Sequence, residues 1–502
     1  MKQLTVFFTS DLHGYFSPID YADGSRISSG AACCFAGFAK DGNTLIIDGG
    51  DTLQGSPFTY YLHKTGNEEN LPARVMRVAG YDFITLGNHD FNYGLEVLQQ
   101  YIDNCGARCL CANVKGLAHV EKYALITLEN GLKVGLTGIT THYINIWEQP
   151  ENLEGITITP PIPAAAAALE ELKAAGAELT VCIYHGGIEN DLVTGLPLSD
   201  TDENQGWRIC KELDFDLLLS GHQHCAIENL DLFGTHVCQP PDHGRAYLCV
   251  TAYPRSEGGR IESHLCYPGP LPLPAAEALL APWEEQAAQW LDRPVGHLNT
   301  SLQPRGYLDM AINGSTIANF FNQVQLAASG ADISAASLAN EVKGFQPDVS
   351  IRDVVATYIY PNTLVTLEVD RRVLKTALER CAEYFDLDIN GEPVISDRFL
   401  KPKVEHYNYD YFSGIEVTFD LRRPIGDRVT SIRRNGEELP DDRSYTLCMN
   451  DYRASGTGGY NIYRSCRRIS GPPTEIAELI MDYISVNGNI SVDLEKHLEV
   501  LY

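Results

Sequence analysis

Five short segments in the first half of the chain carry side chains that bind transition-metal ions. They are Asp11-Leu-His13, Gly49-Gly50-Asp51, Gly87-Asn88-His89-Asp90, His185-Gly-Gly and Gly221-His222-Gln-His224. A mixture of carboxylate and amide oxygens with imidazole nitrogens suits Mn, Fe, Zn, Co or Ni better than Ca or Mg, without choosing among them. Because the set is what two adjacent divalent ions require, we expect a two-metal site for phosphoester hydrolysis.

The spacing of these side chains divides them between two ions. Asp11 and His13 are separated by one residue, which at the end of a strand places both side chains on one face. Asp51 follows two glycines that permit a tight turn, and its carboxylate can bridge ions about 3.5–4 Å apart. We assign Asp11, His13, Asp51 and His224 to the first ion, and Asp51, Asn88, His185 and His222 to the second.

His89 adjoins the expected ligand Asn88 but is not itself assigned to a metal. We expect His89 to donate to a phosphoryl oxygen or to the departing alkoxide, as a general acid or transition-state stabiliser. Asn92, three residues further on, is placed to fix the tautomer of His89 through a hydrogen bond. A water activated by the metals would attack the phosphorus in line.

Most of these segments end a hydrophobic run that is typical of a β-strand. The expected strands are Leu4–Thr9, Thr44–Ile47, Phe83–Leu86, Lys133–Ile139, Leu179–Tyr184 and Phe215–Leu219. A helix rich in Ala, Leu and Glu is expected over Ala164–Ala175. The ligands would then lie at the carboxyl edge of a layered α/β sheet, where such folds build their sites.

A chain of 502 residues is too long for one core and indicates two or three domains. Residues 267–274, YPGPLPLP, are typical of an extended linker, and a helix is expected from about Ala275 to Leu291. We predict domains at residues 1–270 and 296–502, joined by a linker and helix over 271–295. That helix is either a hinge that delivers substrate or a rigid spacer.

The formal net charge of −28 argues against a nucleic-acid polymer as partner, which calls for a basic stripe. A small anionic substrate would be repelled at long range, and bound metal ions would offset that repulsion locally. No apolar stretch approaches the ~20 residues of a membrane span. We therefore expect no membrane association, and a monomer or weak oligomer.

The cysteine content bears on the compartment. The apolar run Leu4–Phe8 is too short for a signal-peptide core, so the 14 cysteines are interpreted as reduced thiols in a cytoplasm. Cys105, Cys109 and Cys111 are alternatively a structural metal group, although a fourth ligand is missing.

The ligand motifs resemble the signature of calcineurin-like metallophosphoesterases over roughly the first 265 residues. The second half resembles the C-terminal domain of the bacterial 5′-nucleotidase family. The stretches that carry it are Ser350-Ile-Arg352-Asp353, Tyr358-Ile-Tyr360-Pro-Asn362-Thr-Leu364, Tyr407-Asn-Tyr409-Asp410, and Asn450-Asp-Tyr452-Arg453 through Tyr460. The resemblance implies a layered α/β metallophosphoesterase sandwich, with two divalent metal ions, joined by a linker helix to a second α/β domain that binds a nucleotide.

Within that family the chain looks more like the 2′,3′-cyclic-nucleotide 2′-phosphodiesterase/3′-nucleotidase branch, which releases nucleoside and phosphate. The pointers include the run from Asn88 to Gly94 and the Tyr-Asn-Tyr-Asp run. The family's C-terminal domain sandwiches the base between two aromatic rings, which by position would be Tyr407 or Tyr409, and Tyr460. Ordinary core packing is an equally good interpretation of these tyrosines.

Three features depart from the family pattern. Relatives are mostly exported, yet no signal segment is recognisable here. Many relatives have a carboxylate three residues after the catalytic histidine, where this chain has Asn92. The usual substrate-binding arginine segment is replaced near Asn340, and Lys343 or Arg352 is the expected substitute.

Two other functions remain open at this point. One is a 5′-nucleotidase or nucleotide-sugar hydrolase that uses the same site. The other is a binding protein that keeps the fold without the chemistry, which an intact ligand set opposes. A nuclease of the same superfamily is disfavoured by the negative charge.

Overall fold

The computed structural model of the chain describes residues 2–66, 70–198, 201–401, 403–469 and 474–502. The chain divides into two compact units, residues 1–288 and 289–502. The division falls inside the helix Pro274–Leu291, and therefore within the segment 271–295 that the sequence indicates as a linker.

Unit 1 alternates strands and helices along its length. Its strands are β1 Leu4–Thr9, β2 Thr44–Asp48, β3 Phe83–Ile84, β4 Arg108–Leu110, β5 Val114–Lys115, β6 Val120–Glu121, β7 Tyr123–Thr127, β8 Lys133–Thr140, β9 Thr157–Ile158, β10 Leu179–His185, β11 Leu217–Ser220, β12 Ile227–Leu232, β13 Thr235–Gln239, β14 Tyr247–Ala252 and β15 Ile261–Cys266. Its helices are α1 Ala31–Phe35, α2 Pro57–Thr65, α3 Leu71–Ala79, α4 Leu95–Asn104, α5 Ile144–Trp147, α6 Pro161–Ala174, α7 Gly206–Glu212 and α8 Pro274–Leu291, the last of which crosses the unit boundary.

Two mixed sheets form the centre of unit 1. The described strands of one sheet run in the order β15-β14-β1-β2-β3-β4-β6, and those of the other in the order β12-β13-β11-β10-β8-β7. In the first sheet the neighbours from β1 through β2, β3 and β4 to β6 are parallel, and in the second those from β13 through β11 and β10 to β8 are parallel. The pairs β15–β14, β14–β1, β12–β13 and β8–β7 are antiparallel. Phe8 and Ile47 of the first sheet share one buried cluster with Leu136 and Ile183 of the second. The two sheets therefore pack face to face, which confirms the expected layered α/β sandwich.

The predicted strands of unit 1 are all present, with small differences at their ends. The third strand stops at Ile84 rather than Leu86, and the last one begins at Leu217 rather than Phe215. In both cases the extra apolar residue is fully buried outside the ladder, so burial alone produces the hydrophobic pattern.

Unit 2 is a second α/β body. Its strands are β16 Pro294–Leu298, β17 Ile333–Ser337, β18 Asp348–Ser350, β19 Leu364–Asp370, β20 Phe385–Leu387, β21 Pro393–Ile395, β22 Asp410–Ser413, β23 Glu416–Asp420, β24 Val429–Arg434, β25 Glu437–Glu438, β26 Ser444–Asn450, β27 Arg467–Ile469, β28 Asn489–Ile490 and β29 Leu498–Leu501. Its helices are α9 Tyr307–Asn313, α10 Thr316–Ser329, α11 Ile351–Thr357, α12 Arg371–Ala382, α13 Asp451–Ala454 and α14 Ile476–Asn487.

The main sheet of unit 2 separates two buried clusters. Its described strands run in the order β22-β17-β26-β19-β27. Leu447 of β26 belongs to one cluster and its neighbour Cys448 to the other, as the alternation of side chains along a strand requires. Both faces of this sheet are therefore covered, which is typical of an α/β domain.

Within the described ranges, no helix combines the length and the apolar character that a membrane span needs. All fourteen cysteines lie in those ranges, and each is a free thiol. Cys105 and Cys111 donate to nearby oxygens within their own loop and are buried, which favours the interpretation of this group as packed thiols.

Candidate metal centre

The expected ligands lie at or just beyond the ends of their strands, and five of the seven have positive φ. Asp11 and His13 follow β1, and their φ angles are 56° and 49°. Strand alternation therefore does not bring them together, contrary to the sequence interpretation. Left-handed turns at both residues do so, and such turns cost about 1–2 kcal/mol each for a side chain other than glycine. Asp51, His222 and His224 have positive φ as well.

Asp11, His13 and His224 form the first cluster of candidate ligands, with one donor atom from each residue within 4.8 Å of the others. His224 Nε2 lies 3.3 Å from Asp11 Oδ1 and 3.1 Å from His13 Nε2. Asp11 is fully buried and His13 is 5% exposed. Two imidazole nitrogens and a carboxylate oxygen thus converge on one point.

Asp51, His185 and His222 form the second cluster by the same measure. His185 Nε2 lies 3.1 Å from Asp51 Oδ2, and the same carboxylate oxygen is 3.9 Å from His13 Nε2 of the first cluster. Asn88 Oδ1 lies 2.9 Å from His222 Nδ1, which adds an amide oxygen to this group. Asp51 Oδ2 therefore lies close to histidine nitrogens of both clusters, and its role as a shared ligand stays a prediction.

In each of the four histidines expected as ligands, the ring nitrogen that faces away from the site lies next to an oxygen acceptor. The pairs are His13 Nδ1 with Gln54 O at 2.8 Å, His185 Nδ1 with Gly49 O at 2.7 Å, His222 Nε2 with Glu203 Oε1 at 3.0 Å and His224 Nδ1 with Asp242 Oδ2 at 3.3 Å. A proton on the outward nitrogen leaves a lone pair on the inward one. This arrangement orients histidines for metal binding.

Two atoms at the centre of the site lack hydrogen-bond partners among the described residues. They are Asp51 Oδ2 and His185 Nε2, which are both buried and lie 3.1 Å apart without the alignment of a hydrogen bond. A buried polar atom without a partner is costly, and a cation held between these atoms would remove that cost. The donor set and these two atoms together fit a pair of divalent ions.

The charges of the site stabilise positive charge at this point. Burial alone would lower the pKa of His185, but the negative charge of Asp51 raises it to about 9. Burial would likewise raise the pKa of Asp51, yet the charge of His185 holds it well below its usual range. Burial lowers the pKa of His13 to about 3, which keeps this imidazole neutral and able to act as a ligand. A site of this kind is suited to a cation.

Asp90 holds two of the ligand loops together. Its carboxylate accepts hydrogen bonds from the backbone N–H groups of Gly87, Asp51, Thr52 and Leu53, at distances of 2.8–3.0 Å. The loop that carries Asn88 is thereby fixed against the loop that carries Asp51. The sequence motif contains Asp90, but the pattern alone gave it no role.

Glycine is required where these loops meet. A Cβ on Gly87 would lie 2.1 Å from Asp51 Oδ1, and one on Gly50 would lie 2.3 Å from Gly87 N. Gly50 also has a φ of 93°. The two loops therefore touch through glycine backbone, and Asp51 Oδ1 can accept a hydrogen bond from His89 N at 2.6 Å.

His89 lies beside the first cluster and is half-buried. Its ring centroid is 5.2 Å from that of His13. His89 Nδ1 lies 2.7 Å from Asn92 Oδ1, so the expected contact between these two side chains is present. His89 is thus close to the candidate ligands and joined to none of them through its ring nitrogens in the contacts described.

The tyrosines expected at a base-binding site have different environments. Tyr409 is 3% exposed and its hydroxyl donates to Ala311 O, while Tyr460 is 1% exposed and its hydroxyl donates to Asn408 O. Both rings are therefore committed to the core, in place of the base-stacking role expected from their positions. Tyr407 is half-buried, with its ring centroid 6.4 Å from that of Tyr360, and its role stays a prediction.

The polar residues proposed for substrate binding are engaged within unit 2. Asn340 accepts from His406 N and donates to Val404 O, and so fixes the segment before Tyr407. Arg352 Nε donates to Asp292 Oδ1 at 2.7 Å, which is an anchoring contact. Lys343 is exposed. The role of these three residues in substrate binding stays a prediction.

Sequence reasoning missed the residues that orient the ligands. Glu203 and Asp242, which contact His222 and His224, lie in loops with no strand-end motif. Glu148 contacts Asn92 from the end of a short helix far along the chain. Long-range pairing of this kind leaves no periodic signal in a single sequence.

Two family models match the chain: calcineurin-like phosphoesterase over residues 4–226, and 5′-nucleotidase, C-terminal domain, over residues 294–465. A crystal structure of a putative 5′-nucleotidase from Staphylococcus aureus is 30% identical, covers 100% of both chains and has a TM-score of 0.90. The 2′,3′-cyclic-nucleotide 2′-phosphodiesterase/3′-nucleotidase of Haemophilus influenzae is 23% identical over 98% of this chain and 87% of its own length. The trifunctional nucleotide phosphoesterase protein of Bacillus subtilis is 24% identical over 96% of this chain, which spans 38% of that protein.

Proposed function

The chain belongs to the family that joins a calcineurin-like phosphoesterase domain to a 5′-nucleotidase C-terminal domain, and is a hydrolase of phosphoester bonds; we propose that it hydrolyses 2′,3′-cyclic nucleotides and 3′-nucleotides. The products are a nucleoside and phosphate. The similarity to the enzyme of Haemophilus influenzae and the run from Asn88 to Gly94 support this choice.

The position of Asp51 between two ligand clusters is the observation that carries the proposal. Its Oδ2 atom is 3.1 Å from His185 Nε2 and 3.9 Å from His13 Nε2. Two divalent ions at the clusters, of a metal that the donor set leaves open, would supply the positive charge that binds a phosphoryl group and would lower the pKa of water. The chain's net charge of −28 makes that local charge necessary for an anionic substrate.

The protein's own residues then have distinct tasks. Asp11, His13 and His224 would hold one ion, and Asn88, His185 and His222 the other, with Asp51 shared. His89, 5.2 Å from His13 between ring centroids, would donate through Nε2 to a phosphoryl oxygen or to the departing alkoxide. Asn92 Oδ1 contacts the other ring nitrogen, Nδ1, and this contact would keep Nε2 directed to the substrate.

A cyclic diester requires two hydrolytic steps. In the first, one water opens the ring by breaking the bond to the 2′-oxygen, which leaves a 3′-monoester. In the second, another water releases phosphate and the 3′-hydroxyl takes up a proton. Each step needs a proton at the departing oxygen, and His89 is the nearest proposed donor.

A 5′-nucleotidase is the second candidate. The observation that favours it is the similarity to the putative 5′-nucleotidase of Staphylococcus aureus, at 30% identity over both complete chains. The same two clusters would serve either substrate, because metal ions held there would contact the phosphoryl group rather than the sugar.

Hydrolysis of 2′,3′-cyclic AMP, 3′-AMP and 5′-AMP, measured side by side with Mn²⁺ added, tests the proposal. We expect the first two to give the higher kcat/KM, with adenosine and phosphate as products. A preference for 5′-AMP would establish the second candidate instead. The Asp51→Asn variant is the control, since loss of the shared carboxylate should remove activity on all three nucleotides.

A further inference from the structure

A hydrogen-bonded chain leads away from His89 toward a carboxylate that no motif contains. Asn92 Oδ1 lies 2.7 Å from His89 Nδ1, and Asn92 Nδ2 donates to Glu148 Oε2 at 2.6 Å. Glu148 follows α5, 56 residues after Asn92. Position 92 has an amide instead of a carboxylate, and the carboxylate of Glu148 lies behind that amide, one hydrogen bond further from the imidazole.

Glu148 is itself held in place on its other oxygen. Its Oε1 atom accepts from Asn152 Nδ2 at 2.9 Å and from Gln149 N at 2.8 Å. Asn152 Nδ2 also lies 3.3 Å from Asn92 O. The preceding residue, Trp147, lies nearly parallel to the candidate ligand His222, with ring centroids 5.6 Å apart. The segment is therefore fixed against the site.

The chemistry of the three side chains gives this chain of hydrogen bonds one direction. An ionised carboxylate only accepts hydrogen bonds, so the NH₂ end of Asn92 must face Glu148. The carbonyl end must then face His89, whose Nδ1–H donates to it, while Nε2–H on the opposite edge of the ring remains the donor to substrate. Without Glu148 the amide can turn over and present NH₂ to Nδ1–H, where two donors face each other and the imidazole loses this contact.

We propose that Glu148 is a positioning residue for catalysis, which fixes the orientation of Asn92 and through it the direction of the His89 ring. The inference rests on the proposed role of His89. A carboxylate at position 92 would accept the proton of His89 directly and alone. Here an amide and a carboxylate from a later segment of the chain share that task.

A four-variant cycle tests this inference. Wild type, Glu148→Gln, Asn92→Asp and the double variant are assayed with Mn²⁺ on 2′,3′-cyclic AMP, 3′-AMP and 5′-AMP. Glu148→Gln lets the amide of Asn92 adopt either orientation. Asn92→Asp places two carboxylates at a distance of 2.6 Å, where they repel. In the double variant the new carboxylate at position 92 accepts from His89, and the new amide at position 148 donates to that carboxylate. The direction of the hydrogen bonds is thereby restored.

We expect each single variant to lower kcat by about 10–100-fold, the range found when a residue that orients an active-site ligand is replaced. KM and metal content should stay within about twofold of wild type, since no expected ligand is altered. The double variant should recover kcat to within a few-fold of wild type, a coupling that independent structural damage would not give. Glu154→Gln alters an exposed residue of the same segment and is the matched control. Its kcat and KM should equal those of wild type.

Three results would overturn the inference. They are an unchanged kcat in Glu148→Gln, a fall in metal content that explains its loss, and a double variant no better than the singles. His89→Ala separates this failure from that of the proposed function. If His89→Ala keeps the native rate, the role of His89 is wrong; if it loses activity while Glu148→Gln does not, only the role of Glu148 is wrong.

Discussion

At the scale of single residues, His89 carries the proposed proton transfer, and its removal should affect rate without affecting metal binding. We expect His89→Ala to lower kcat by about 10²–10⁴-fold, the usual contribution of a general acid. Metal content should persist, because none of the ligand clusters includes His89. Steady-state rates combined with elemental analysis of the dialysed protein check both statements. His264→Ala, at an exposed position of β15, is the control. Near-native activity of His89→Ala would contradict the assignment.

His406 makes a separate prediction about stability and pH. Burial lowers the pKa of His406 from 6.5 to about 4. Its ring stacks on Tyr307 with centroids 3.9 Å apart, and Nδ1 lies 2.6 Å from the Tyr384 hydroxyl. The unfolded imidazole takes up a proton first on acidification, so this residue makes the free energy of unfolding decrease as the pH falls from about 6.5 to about 4.

The His406→Phe variant keeps the stacked ring and removes the titrating group. We expect its free energy of unfolding to fall less steeply than that of wild type across this pH window, and to run parallel to wild type above pH ~7. Urea denaturation at a series of pH values measures the difference. Equal slopes for the two proteins between about pH 6.5 and 4 would show that the prediction is wrong.

Residue types and spacing were enough to predict which side chains converge in the two clusters, because metal ions restrict which side chains can serve as ligands. The backbone conformation that brings these side chains together was not predictable in the same way. Asp11 and His13 meet through left-handed backbone rather than strand alternation, and nothing in Asp-Leu-His specifies positive φ. Glu203, Asp242 and Glu148 escaped detection because they approach the site from loops distant in sequence.

At the scale of elements, Asp90 fixes the loop after β3 against the loop after β2. We expect Asp90→Ala to lower the free energy of unfolding by about 3 kcal/mol or more, because one buried N–H without a partner costs ~1–3 kcal/mol and four lose theirs. Asp90→Asn keeps one carbonyl oxygen as an acceptor and should fall between wild type and Asp90→Ala. Urea denaturation ranks the three proteins. A change below about 0.5 kcal/mol in Asp90→Ala would show that the loops are held by other contacts.

Six strands of unit 1 were predictable because each contains an apolar run, and five of these runs end at a ligand motif. Unit 2 was less so. The clusters on both faces of its main sheet bury tyrosines, and two of these, Tyr409 and Tyr460, were interpreted from the sequence as candidates for base stacking. Tyr460, below the guanidinium of Arg453 at 4.2 Å from its ring centroid, is the clearest case. Sequence alone does not distinguish an aromatic ring that packs in a core from one that faces a ligand.

At the scale of the whole molecule, all the candidate ligands lie in unit 1. We expect removal of metal by EDTA to increase hydrogen exchange in the ligand loops, at residues 11–13, 49–53, 87–90, 185–187 and 221–224. The reason is that bound ions connect loops which otherwise depend on a few hydrogen bonds. The main sheet of unit 2, which has no ligand, should keep its protection. Equal changes in the two units, or no change in either, would contradict this assignment.

Asp51 as the residue shared by two metal ions is the central claim, and an anomalous-difference map from crystals grown with Mn²⁺ tests it most directly. We expect two peaks about 3.5–4 Å apart with the Asp51 carboxylate between them. One peak should be adjacent to Asp11, His13 and His224, and the other to Asn88, His185 and His222. A single peak, or two peaks that do not share Asp51, would contradict the account.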